Sequence, residues 1–127
     1  MSKEIKLNKD TMIVSETDEK GIIIYANDDF CKMAGYTKEE LIGQPHNLVR
    51  HSDMPKVAFE DLWKTIKSGK IWNGIVKNKS KTNDYYWVNA TAYPSTNKDG
   101  KRRYISVRVK PTEQEISNAD TLYKTLR

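Results

Sequence analysis

Residues Gly43 to Pro55 read GQPHNLVRHSDMP, gathering His46, Arg50, His51 and Asp53 into one connecting segment ahead of an amphipathic helix. Such a set can do several kinds of chemistry. A guanidinium fork suits an anionic or carbonyl-bearing ligand, a pyrophosphate included. An imidazole can hydrogen-bond a ligand, change charge near neutral pH, or serve as an axial ligand to haem. The bland readings are equally definite: Arg50 in a surface ion pair, His51 as a solvated loop residue, and Asp53 as a helix N-cap contributing about 1 kcal/mol. No Cys, His or carboxylate pattern around the histidines completes a tetrahedral site, so a bound metal ion is not expected.

A second stretch, IWNGIVKNK from Ile71 to Lys79, adds an independent signal. On a strand, Trp72, Gly74, Val76 and Asn78 share one face. Tryptophan and valine mark that face as inward, which aims the Asn78 amide at the core, where it must find partners. Gly74 leaves room beside it for something flat. The competing readings are that Asn73, Ile75 and Lys77 pack instead, or that a backbone group satisfies Asn78.

The elements that must position these residues follow from pattern. MIVSETDEKGIIIYAN reads as a hairpin turning at Asp18 to Gly21. Asn27 caps a short helix that ends at Gly35; Thr37 and Glu40 form a capping box for the next, which Gly43 stops. From Met54 to Ser68, the residues Ala58, Phe59, Leu62, Trp63 and Ile66 recur on one helical face, with Pro55 in the first turn and Asp53 or Ser52 as the cap. Three strands come next, with turns near Thr82 to Asp84 and at Asp99-Gly100. The last of them alternates Ile105, Val107 and Val109 against Ser106, Arg108 and Lys110. A helix after Pro111 carries Ile116, Ala119, Leu122, Tyr123 and Leu126 on one stripe. Antiparallel strands with helices gathered on one face make an α+β domain.

At 127 residues, 37% apolar and 31% charged, the chain suits one well-solvated domain with a modest core. No apolar run nears the ~20 residues of a membrane span, and MSKEIKLNKD lacks the apolar stretch of a secretory leader. The lone Cys31 fits a reducing cytoplasm, so a cytoplasmic domain without direct membrane insertion is expected. The net charge of +5 lies largely in KNKSK and KDGKRR. Both look like hairpin tips, and neither carries a nucleic-acid motif, so nucleic acid is not an expected partner. No catalytic triad order, phosphate-loop glycine pattern or metal motif appears, and enzymatic activity is not expected.

The element order, together with YANDDFCKMAGYTKEELIGQ, resembles a PAS domain: a five-stranded antiparallel sheet with short helices packed on one face, plus a C-terminal connector helix. The motifs QPHN-VRH-DMP and W-GIVKN narrow the resemblance to the sensor domain of bacterial aerotaxis and energy-taxis (Aer-like) receptors, over residues 12 to 126. That resemblance implies residues 1–11 as an N-terminal cap segment, 12–111 as the PAS sensor and 112–127 as the connector. It implies non-covalently bound FAD and a redox-sensing role in chemotaxis signalling. The expected partners are a HAMP or signalling domain, in cis or in trans, and a PAS homodimer. Carried over by position, the cofactor residues fall on Asn27, Arg50, His51, Asp53, Trp72 and Asn78, with His46 and Tyr86 nearby. Ser52 and Thr91 depart from the family's usual proline and asparagine. Cys31 is outside the cysteine motif of LOV photoreceptors, so no covalent photoadduct is expected. Two other readings stay open: a haem-based gas sensor using His46 or His51, and a cofactor-free PAS dimerisation module.

Overall fold

The computed structural model describes residues 2–127. Strands β1 (Ile13–Thr17) and β2 (Ile23–Ala26) precede α1 (Asp28–Ala34), α2 (Lys38–Leu41) and a 3₁₀ turn (His46–Val49). Then come α3 (Lys56–Lys67), β3 (Trp72–Lys79), β4 (Tyr85–Thr96), β5 (Arg102–Val109) and α4 (Glu113–Leu126). The strands form one five-stranded antiparallel sheet in the order β2-β1-β5-β4-β3. The α+β architecture and its C-terminal helix are those the sequence pattern predicts.

Local chemistry explains most boundaries. Asn27 starts α1 by accepting the Phe30 N–H at 3.0 Å, and Thr37 and Glu40 close a capping box on α2. Gly21 turns the β1–β2 hairpin with φ +82°, and its bare α-carbon lets the Trp63 ring approach; a Cβ there would lie 3.3 Å from the indole. Trp63 thereby ties α3 to the hairpin.

One expectation is corrected. Neither Asp53 nor Ser52 caps α3: Pro55 holds the N-cap position in extended geometry with no side-chain bond, and the Asp53 carboxylate is engaged elsewhere. On β5, the residues facing the helices are Tyr104, Ser106 and Arg108, while Ile105 and Val107 face outward and stay only half-buried. The reason is register: Ser106 pairs with Ser15 and Ala92, and Arg108 with Ala90, all on the inner face.

The β3 face behaves as the alternation implies, with Trp72, Val76 and Asn78 buried. The flat group that Gly74 accommodates is the Trp72 indole itself, folded over the strand; its Nε1–H donates to Asp61 Oδ2 at 2.9 Å. A Cβ on Gly74 would fall 2.4 Å from Trp72 Cη2. Gly74→Ala is therefore expected to expel the indole and lower stability by about 1–3 kcal/mol, measured by urea unfolding, with a red-shifted tryptophan emission.

The outer face carries α4. Tyr123 donates its hydroxyl to the Ile75 carbonyl at 2.5 Å, and Leu7, Trp87, Pro111 and Ile116 converge beside it. No helix among the described residues is long and apolar enough to cross a membrane.

Candidate functional site

The centre of the inner sheet face is floored by small side chains: Ser15, Ser106, Ala90 and Ala92. Larger residues there would fill the space beneath α3. Instead a cavity of about 380 Å³ opens, roofed by Phe59, Leu62, Trp63 and Ile66 from the apolar stripe of α3. That size lies within the ~300–1,000 Å³ usual for small-molecule sites. The exposed residues that line it are Glu19, Lys20, Pro45, Asn47 and Lys67.

The polar wall is built around Arg108, which is 2% exposed. Its Nη2 donates to Ser15 Oγ at 2.7 Å, its Nη1 to His46 Nε2 at 3.1 Å, and its guanidinium lies 4.5 Å over the Phe30 ring. Its Nε–H has no partner, and among the described residues no carboxylate pairs with it. Burial pulls its pKa down to about 10. Thr17 Oγ1, also on the cavity wall, is a second buried polar atom without a partner.

His46 is locked in one tautomer. Ser15 Oγ lies 2.9 Å from the same Nε2 that accepts from Arg108, so that nitrogen is unprotonated and the ring proton sits on Nδ1. Burial first, and the Arg108 charge second, lower its pKa to about 3.

Of the residues the sequence singles out, the cavity brings together His46, Arg50 and Asn78. Asn78 is 4% exposed, and its backbone bridges to that of Arg50. The Arg50 guanidinium rests 4.6 Å over the Phe59 ring. Tyr86, fully buried, pairs with Asn78 across the strands from behind the cavity wall. Burial pushes its phenol up to about 12; the Arg108 charge and the Asn78 amide oppose this, but no hydrogen bond to its hydroxyl closes.

The other four lie off the wall. Asn27 spends its amide on the backbone of Met12, Val14 and Phe30. Trp72 folds over Gly74. His51 and Asp53 turn away along the β3 edge, where His51 Nδ1 accepts the Asp53 N–H at 2.9 Å and Asp53 pairs with Lys77 at 2.8 Å. Burial, then the Lys77 charge, holds the His51 pKa below its usual value.

Sequence reasoning missed Arg108, Ser15 and Thr17. The available signal was the run of small inward residues on neighbouring strands, Ala90 and Ala92 against Ser106, which leaves a sheet face too shallow to meet a helix directly. Cys31, the chain's single cysteine, sits on α1 and does not line the cavity.

A sheet floored by small residues beneath a roofing helix, with one polar wall, is an arrangement able to hold a small molecule. The PAS fold family model matches residues 23–108, and the chain belongs to that family. Over 120 residues it is 49% identical to the aerotaxis receptor of Escherichia coli (strain K12), covering 94% of this chain and 24% of that protein. It is 29% identical to the nitrogen fixation regulatory protein of Klebsiella oxytoca, covering 92% of this chain and 23% of that one. The chain thus spans about a quarter of the length of these relatives. Among solved structures, a light-oxygen-voltage domain studied with a flavin analogue superposes with a TM-score of 0.73 at 19% identity, covering 90% of this chain and 85% of that one. At that identity the likeness establishes the fold.

Proposed function

We propose that the cavity binds a flavin non-covalently, FAD in particular, and that the domain reports the flavin's redox state to a signalling partner. The observation that carries this reading is Arg108. A buried guanidinium with an open Nε–H and no carboxylate favours a ligand that is, or becomes, anionic, because that ligand supplies the missing countercharge. When bound, a flavin supplies a flat ring with a donor and acceptor edge that accepts electrons and gains negative charge or protons.

The chain's residues fit that group. The small floor and the α3 roof leave a slot for a flat ring. The Asn78 amide can both donate and accept at a ring edge. Arg108, held on the cavity lining by Ser15 and His46, favours negative charge nearby. His46 keeps its proton on Nδ1 and stays neutral, so it adds no second cation beside Arg108. Arg50, with the exposed Lys20 and Lys67 of the lining, favours the diphosphate of a dinucleotide, and the resemblance to aerotaxis receptors favours FAD over FMN.

The haem reading is weaker because His46 Nε2 is already bonded twice and His51 lies off the wall. The cofactor-free scaffold reading leaves the cavity and the unpaired Arg108 without a purpose. The role is signalling rather than catalysis, with a HAMP or signalling domain, in cis or in trans, and a second PAS copy as candidate partners. Titration of FAD and of FMN, followed by fluorescence quenching, tests the reading. FAD is expected to bind more tightly, and Asn78→Ala and Arg50→Ala to weaken it by roughly tenfold each. Failure of both flavins to bind at any concentration contradicts it.

A further inference from the structure

The RHSD segment divides its side chains between two faces of the molecule. Arg50 lines the cavity, while His51 and Asp53 run around the edge of β3 toward the outer face. Along this stretch the segment is fastened to β3 at four points. The Arg50 backbone bridges Asn78, the His51 N–H donates to the Lys77 carbonyl at 3.3 Å, and the Lys77 N–H donates to Met54 Sδ at 3.3 Å. The fourth is the Lys77–Asp53 ion pair at 2.8 Å. Lys77, its side chain only 13% exposed, is held further by the Tyr85 ring, 4.5 Å from its Nζ.

Asp53 uses its two oxygens on different elements. Oδ2 takes Lys77, and Oδ1 takes Arg127 Nη1 at 3.0 Å, directly after α4. The last turn of α4 has little else to hold it. Leu122 and Leu126 are largely exposed, and beyond Ala119 the anchors are the Tyr123 hydroxyl and this ion pair.

We propose that Asp53 couples the cavity to the connector helix: a displacement at Asn78 or Arg50 shifts Lys77 and Asp53 and changes the hold on Arg127, so the end of α4 is docked or released. The inference rests on the proposed cofactor for its natural trigger, but its geometry does not. Asn78 and Lys77 are consecutive residues facing opposite sides of the sheet, so any twist of β3 that moves one moves the other. A shared carboxylate then transmits that movement to the turn of α4 before Arg127, whose docked and released forms are the two states that a switch of this kind requires. The route runs around the β3 edge rather than through the sheet.

Hydrogen exchange read by mass spectrometry on residues 120–126 tests it. Asp53→Asn and Arg127→Gln are each expected to speed exchange there roughly threefold, and adding Arg127→Gln to Asp53→Asn to speed it no further, since the Asp53–Arg127 pair is then already lost. In FAD-loaded protein, reduction by dithionite is expected to change exchange in the same turn, and Arg127→Gln to abolish that response while its flavin content stays at the wild-type level. Additive single effects, or a redox response that survives Arg127→Gln, overturn the coupling. Protein that takes up no FAD marks failure of the cofactor reading instead. Asn78→Ala, or Arg50→Lys should that variant not fold, then replaces reduction as the perturbation at the cavity. Its effect on α4 must again require Arg127; no effect, or one independent of Arg127, overturns the coupling.

Discussion

Arg108→Met is expected to pull stability and ligand binding in opposite directions. The substitution removes a buried charge that no carboxylate compensates, and fills similar volume with an apolar chain. Nothing is orphaned by it, because Ser15 Oγ and His46 Nε2 lie 2.9 Å apart and can bond each other. Replacing buried ionic groups by apolar residues of like size is often neutral or stabilising by about 1–4 kcal/mol. The ligand-free protein is therefore expected to gain several degrees in Tm. Flavin binding is expected to weaken by about tenfold to a hundredfold, the worth of one charge-assisted hydrogen bond of about 1.5–3 kcal/mol. Calorimetry on stripped protein and a titration of the same samples read both effects. A ligand-free Tm that falls would mean that Arg108 is a packing residue whose stacking on Phe30 outweighs its burial.

The second large effect is loss of stability in mild acid. His46 is held neutral in the fold, with a pKa of about 3, because burial and the Arg108 charge both oppose a second cation there. In the unfolded chain the same imidazole takes a proton near pH 6.5. Between those values the unfolded state binds the extra proton, so stability is full above about pH 6.5 and declines as pH falls toward 3. The expected loss is about 2 kcal/mol between about pH 7 and about pH 5, from the single-group slope of 1.36 kcal/mol per unit. His51, held below its usual value chiefly by burial, adds in the same direction. Carboxylates lowered by pairing, such as Asp53, act only at more acidic pH. His46→Asn keeps a hydrogen-bond acceptor without the titration and is expected to flatten the profile over this range. Urea unfolding of both proteins at several pH values gives the comparison, and an equal acid sensitivity in the variant contradicts the assignment.

The residues show why some of this was legible in the sequence and some was not. Helix ends marked by Asn27, by the Thr37–Glu40 box and by Gly35 depend on local bonds, so their types and spacing sufficed. The inward face of β3 was legible because Trp72 and Val76 outweigh anything on the other side. On β5 the alternation alone did not say which face is inward. Its inner residues, Ser106 and Arg108, are small or charged because they border a cavity, and the apolar Ile105 and Val107 took the outer face. Asp53 offered a cap or a cofactor contact with nothing local to choose between them; it makes ion pairs instead, with Lys77 and Arg127, both distant in sequence. Arg108 was invisible as a site residue because its meaning comes from Ser15 and His46, which only the register of β1 against β5 and the turn after α2 bring to it.

The most direct test of the central claim is a visible absorption spectrum of freshly purified protein, with any released cofactor identified by chromatography. A two-band flavin spectrum that bleaches reversibly on anaerobic reduction is expected, with FAD as the released compound. A colourless protein that takes up no added FAD, or a single intense Soret band, contradicts it.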